Sequence, residues 1–196
     1  MMSKDSGVCR FFYGLSEVRT VFCCIFLCGM FSIVVSCRRY NTQQSEQDTS
    51  AVERQKKEIL LRVNQQLVEE EVEAIEIFAR DKGWQMQATE SGLYYMIYER
   101  GQGEKASSGK KATLNYTVSL MDSTICYSSD QSGPKTFRLG QGGVETGLEE
   151  GVLLLHTGDK ARFIMPSYLA HGLTGDGDCI PRRATILYDV ELLHLE

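Results

Sequence analysis

The sequence predicts an α+β domain: an antiparallel sheet of five or six strands around one short helix, with an added amphipathic helix before it. Three observations lead there. From Trp84 onward the chain breaks into short runs rich in β-branched and aromatic residues, separated by Gly, Ser and Asp. Within that region only Thr146–Leu155 has helical character, and it is short. Upstream, residues 50–83 repeat apolar side chains at three- and four-residue spacing.

Taken in order, the chain opens on a targeting segment. Lys4, Arg10 and Arg19 precede Val21–Val35, a fifteen-residue apolar run. That run is at the upper length for a signal-peptide core and short of the roughly 20 residues that span a bilayer. It ends Val-Val-Ser-Cys, with small Ser36 just before Cys37. Residues 1–36 thus resemble a bacterial lipoprotein signal peptide, whose cleavage leaves Cys37 as the lipidated first residue. An uncleaved anchor and an ordinary signal peptide stay open as readings of the same run. Lipidation implies attachment to a membrane of the cell envelope through several acyl chains, since one chain alone binds marginally. Arg38, Arg39 and Tyr40 follow without an early acidic run. By resemblance to lipoproteins sent to the cell surface behind an acidic tag, this implies retention facing the periplasm.

Residues 37–49 are polar and read as a tether. Ser50 followed by Glu53 forms a capping box, each side chain satisfying a free N–H at a helix start. The helix should run to about Arg80, with Gly83 as its stop. Leu60, Val63, Leu67, Ala74 and Phe78 share one face; Leu61, Val68, Val72 and Ile75 widen it, and Glu71 interrupts it. Such a helix can pack on its own domain, pair with a second copy or dock a partner; all three readings stay open. In 84–196 the strands fall at Leu93–Tyr98, Ala112–Met121, Thr124–Ser128, Thr136–Leu139, Asp159–Met165 and Ala184–Leu195.

Composition narrows the function classes. A chain of 196 residues, 42% apolar and 24% charged, can bury one core, and a net charge of −5 argues against nucleic acid. Of seven cysteines, Cys9, Cys23, Cys24, Cys28 and Cys37 lie before, in or just after the apolar run, leaving only Cys126 and Cys179 in the globular part. No Cys-x-x-Cys pair with a second half exists, and His156, His171 and His194 lack metal spacing, so no metal or cofactor is expected. Gly103 to Lys111 has one residue too many for a phosphate loop, and Glu145 stands where a dinucleotide fingerprint needs its third glycine. No serine-nucleophile element is present.

One stretch carries more. Phe-Arg-Leu-Gly-Gln-Gly-Gly-Val-Glu-Thr-Gly-Leu-Glu-Glu-Gly-Val (137–152), Gly-Asp-Lys-Ala-Arg-Phe-Ile-Met-Pro (158–166) and Ala-Thr-Ile-Leu-Tyr-Asp-Val-Glu-Leu-Leu (184–193) resemble the second half of an FKBP-type peptidyl-prolyl cis-trans isomerase. The resemblance covers about 88–196. It implies an FKBP-like fold, a proline-containing polypeptide as substrate, and an apolar cup that needs no nucleophile, metal or cofactor. Amide resonance sets a rotation barrier of roughly 18–20 kcal/mol. A thousandfold acceleration would lower it by only about 4 kcal/mol. Desolvation penalises the planar, charge-separated amide more than the twisted one, so an apolar cup with one or two hydrogen bonds suffices in principle.

The pocket residues follow from the resemblance. Tyr116 matches the tyrosine of a pocket strand, Phe137 an aromatic near the wall, and Val144 and Glu145 the two positions opening the short helix. The Glu145 N–H takes the place of one that holds a substrate carbonyl in the family. Leu148 matches the floor, Tyr188 the C-terminal aromatic, and Ile180 closes the loop 172–180 as a further pocket residue. Four positions depart from the pattern. Tyr127, beside Cys126, replaces an aspartate; Lys135 stands where a phenylalanine narrows the cup; Glu145 replaces a hydrophobic residue; and His171 replaces a tyrosine. These departures keep a second reading open, a non-catalytic binding or chaperone module of an envelope assembly. In the family's pocket Cys126 and Cys179 match facing walls, and a disulfide pinning the loop or two buried free thiols both fit. Lys82-Gly-Trp-Gln-Met and Thr89-Glu-Ser-Gly-Leu-Tyr-Tyr also resemble the gliding-motility-associated lipoprotein branch of the family, which implies work on exported proteins.

Overall fold

The computed structural model describes residues 52–196; the expected signal segment, Cys37, the expected tether and Ser50 lie outside them. The chain divides into two compact units at 63/64, and of the first only the stretch 52–63 is described.

Helix α1 covers 52–81. It ends because Gly83 adopts φ +68°, which lets its N–H reach Arg80 O at 3.0 Å and the Trp84 N–H reach Ala79 O at 2.9 Å. This paired closure satisfies carbonyls that the last turn leaves free. Ile75 and Ala79 are buried against Ile164, with Phe78, Trp84, Met86, Tyr94, Met121 and Leu187 packed around them. The packed stripe is rotated from the expected one: Ala74 is exposed, and Glu71 is partly buried. A broad apolar arc does not reveal which of its edges meets the sheet, and here the 75/79 edge does. Upstream, Ile59, Leu60, Leu61 and Val63 are exposed. No helix among the described residues is long and apolar enough to cross a membrane.

The sheet has seven strands, all antiparallel: β1 Gln87–Ala88, β2 Tyr94–Glu99, β3 Lys111–Leu120, β4 Ile125–Ser128, β5 Lys135–Arg138, β6 Lys160–Met165 and β7 Ile186–Leu195. Their order is β1-β2-β6-β7-β3-β4, with β5 also paired to β3. This exceeds the expected five or six because β1, two residues long, is too short to show alternation. Strand β3 organises the site. One edge pairs with β7 along its length; the other takes β5 at 111–114 and β4 at 117–119. Between β4 and β5 lies a one-turn helix α2, Ser129–Ser132, that periodicity also misses. Ser128 caps it, accepting from the Asp130 N–H, and the Ser129 hydroxyl accepts from the Tyr116 N–H at 3.1 Å.

Register places Val118, Tyr188 and Phe163 side by side on β3, β7 and β6. Against this face lies helix α3, Thr146–Leu153, with Leu148 and Val152 fully buried. Gly151 permits the approach, since a Cβ there would sit 2.7 Å from Phe163 Cε2. The core thus forms between α3 and the sheet, and the open side of that sandwich is where β3, β7 and the start of α3 converge.

Candidate active site

At that convergence is a cavity of about 310 Å³. Strand β3 contributes Tyr116 and Val118, two residues apart and therefore on one face. Tyr127 comes from β4, Lys135 from β5, Tyr188 from β7 and Glu145 from the residue before α3. His171 and Asp176 come from the loop after the short 3₁₀ turn Ser167–Leu169. A groove of about 510 Å³ near Trp84 and Tyr94 is larger, but it gathers none of these residues.

Two tyrosines form the aromatic part. The rings of Tyr116 and Tyr188 lie 6.3 Å apart and are tilted by 39°. Tyr188 is 1% exposed, and its hydroxyl donates to Glu145 Oε1 at 2.9 Å. Burial, and then the Glu145 charge, push the Tyr188 phenol well above its ordinary value, so it remains a protonated donor. Glu145 does not cap α3 with its side chain. Instead the carboxylate turns into the cup, 3.2 Å from His171 Nε2 and 3.8 Å from Lys135 Nζ. Lys135 donates to the Tyr188 hydroxyl at 3.4 Å, and its ammonium stands over the Tyr116 ring at 5.2 Å. A cation on a ring face is attracted by the negative π-cloud.

The far wall is held by two neighbouring links. A disulfide joins Cys126 to Cys179, with Cα atoms 5.5 Å apart. Beside it the Tyr127 hydroxyl donates to Asp176 Oδ2. Asp176 Oδ1 accepts from the N–H groups of Asp178 at 2.9 Å and Ile180 at 2.8 Å. Burial alone would raise the Asp176 carboxyl, but the Tyr127 hydroxyl and these two N–H groups outweigh it and hold the carboxyl below its ordinary value. The same hydrogen bond, followed by burial, raises the Tyr127 phenol. A depressed folded-state value means Asp176 stabilises the loop above its unfolded pKa of about 3.9, and that contribution is lost as pH falls through the lower folded value. Protection of the Asp178 and Ile180 amides, taken relative to the unstructured exchange rate at each pH, should therefore fall below about pH 4. In Asp176→Asn exchange should already be fast at neutral pH, with no further acid step there. An unchanged exchange rate at neutral pH in the variant would remove this role.

Six of the expected residues thus line the cavity: Tyr116, Tyr127, Lys135, Glu145, His171 and Tyr188. Leu148 and Ile180 are buried in the core cluster. Phe137, Val144 and Cys126 are partly buried and pack against it without lining the cavity. Sequence reasoning missed Val118 and Asp176. Val118 was within reach, being the next residue on the Tyr116 face. Asp176 sits in an irregular, glycine-rich loop with no period to place it.

Comparison with known proteins accords with this fold. Residues 102–193 match the model of the FKBP-type peptidyl-prolyl cis-trans isomerase family. The chain is 42% identical to the isomerase FkpA of Aeromonas hydrophila over 112 residues, which is 57% of this chain and 41% of that protein. It is 38% identical to the FK506-binding protein of Neisseria meningitidis serogroup B over 103 residues, 52% of this chain and 94% of that one. The crystal structure of FkpA from Escherichia coli superposes with a TM-score of 0.58 at 29% identity, covering 79% of this chain and 72% of that chain. The aligned part spans only about two fifths of the FkpA relatives from Aeromonas and Neisseria, at 41% and 40% of their lengths. With nearly the whole of the smaller Neisseria protein matched, this chain belongs to the FKBP-type peptidyl-prolyl cis-trans isomerase family.

Proposed function

We propose that this protein isomerises X–Pro bonds of exported polypeptides, held at the bacterial envelope by a lipid anchor on Cys37 and facing the periplasm. The observation that carries the catalytic part is the cup itself, where Tyr116 and Tyr188 wall a cavity large enough for a proline ring. A proline seated there exchanges water for ring faces. Its preceding carbonyl loses the hydration that favours the planar amide, and the barrier of roughly 18–20 kcal/mol falls. Donors at the rim steady the twisted form, and no proton is transferred. The anchor rests on the Val-Val-Ser-Cys sequence, and the envelope role on the resemblance of residues 82–95 to the gliding-motility-associated branch. The exposed Ile59, Leu60 and Val63 of α1 suit a homodimer or a docked partner.

The test is NMR exchange of short Xaa-Pro peptides with catalytic amounts of the full chain in detergent, beside a Tyr116→Ala control. Accelerated exchange that the control loses supports the isomerase; a folded native chain with no effect on exchange overturns it. A second reading, a binding module without turnover, is favoured by the polar Lys135–Glu145–His171 group in a cup expected to be apolar. Peptide binding without exchange would select it.

A further inference from the structure

We propose that the cup selects prolines flanked by a lysine or arginine, and that Glu145 is the residue that sets this preference. The inference rests on the reading above for the presence of a proline peptide in the cup.

The carboxylate of Glu145 is the starting point. Its side chain is 11% exposed and faces the cavity. Oε1 is occupied by the Tyr188 hydroxyl at 2.9 Å, whereas Oε2 is buried and has no hydrogen-bond partner among the described residues. A buried carboxylate oxygen without a donor is costly, and a guest that supplies one gains what the site lacks. Lys135 does not fill the role. Its ammonium is 3.8 Å from Oε2, beyond hydrogen-bonding distance, and donates instead to Tyr188. At 30% side-chain exposure it can withdraw to solvent when a guest cation takes its place.

The surroundings favour the same sign. Two carboxylates, Glu145 and Asp176, face the cavity against one permanent cation, Lys135. Asp176 is fully engaged by Tyr127 and two backbone N–H groups, so it adds negative potential without needing a partner of its own. The Tyr116 and Tyr188 ring faces already hold an ammonium, at 5.2 and 5.9 Å, and would hold a guest's equally well. His171 Nε2, 3.2 Å from Oε1, also lacks a hydrogen-bond partner among the described residues, and it lies on the other carboxylate oxygen. An acidic flanking residue would find Lys135 but would have to approach two carboxylates to reach it.

The experiment compares blocked peptides with Lys, Leu or Glu immediately before proline, and the same set immediately after it. Peptide NMR with the full chain in detergent reads both exchange and binding. On at least one side of the proline, Lys should exceed Leu by about threefold to fivefold in kcat/KM, the size of one partly screened ion pair, with Glu below Leu. The Lys advantage should shrink as salt rises and fall towards one in Glu145→Gln, which keeps the shape and removes the charge. Equal handling of Lys and Leu on both sides, a preference for Glu, or a Lys advantage undiminished in Glu145→Gln would each overturn the proposal. Should no peptide be isomerised, the isomerase reading fails by itself, and the order of dissociation constants still decides the preference. The native ranking needs no variant, so a poorly folding Glu145→Gln does not spare it.

Discussion

Tyr188→Ala is expected to lose about 3–5 kcal/mol of folding stability, the range for removing a buried aromatic ring. Typical domains hold only about 5–15 kcal/mol, so the loss would consume a large part of the total. The ring sits between Val118 and Phe163 in adjacent strands and is 1% exposed, so its removal would leave a void between the core and the cup. Tyr188→Phe separates the two jobs of the residue. It keeps the ring and removes the donor to Glu145 Oε1, so it should cost only about 1–3 kcal/mol. Urea midpoints of the two variants measure the difference. If alanine cost no more than phenylalanine, Tyr188 would be a polar anchor and not part of the core.

The second large effect concerns the loop wall. The Cys126–Cys179 bond closes a segment of 53 residues. Chain-entropy arguments assign a cross-link of that span about 4 kcal/mol, and measured losses for native disulfides run about 2–5 kcal/mol. A Cys126→Ser, Cys179→Ser pair should lower the urea midpoint accordingly. Its local effect should be concentrated in 171–180, the segment that carries His171, Asp176 and Ile180. Peptide mapping of the unreduced full chain checks the premise directly, by looking for the linked pair of fragments. Finding both cysteines alkylated in the native protein would leave that loop held to β4 by hydrogen bonds such as Tyr127–Asp176 and not by a covalent link.

Much of this was legible in the residues alone, for reasons that are local. The helix stop at Gly83 needs only a residue that tolerates positive φ, and the structure uses it that way. The strands from β2 to β7 announce themselves as β-branched and aromatic runs, because each is long enough to alternate and is cut off by turn residues. Tyr116 and Tyr188 could be singled out because short motifs around them fix their register within a family pattern. Strand β1 and helix α2 escaped because two residues are too few to show strand alternation and four make only one helical turn.

What the chain determined by itself was therefore the fold class, the elements long enough to carry a repeat, and most of the residues that meet in the cup. Tertiary structure alone decided how they meet. The Glu145 side chain reaches Tyr188 across 43 positions and Tyr127 reaches Asp176 across 49. The face of α1 that packs was likewise chosen by Ile164 on a distant strand. Contacts at such separations leave no mark on local spacing. They exist only after the sheet has closed over α3, and so the pairing of Glu145 with Tyr188, His171 and Lys135 became visible only in the folded chain.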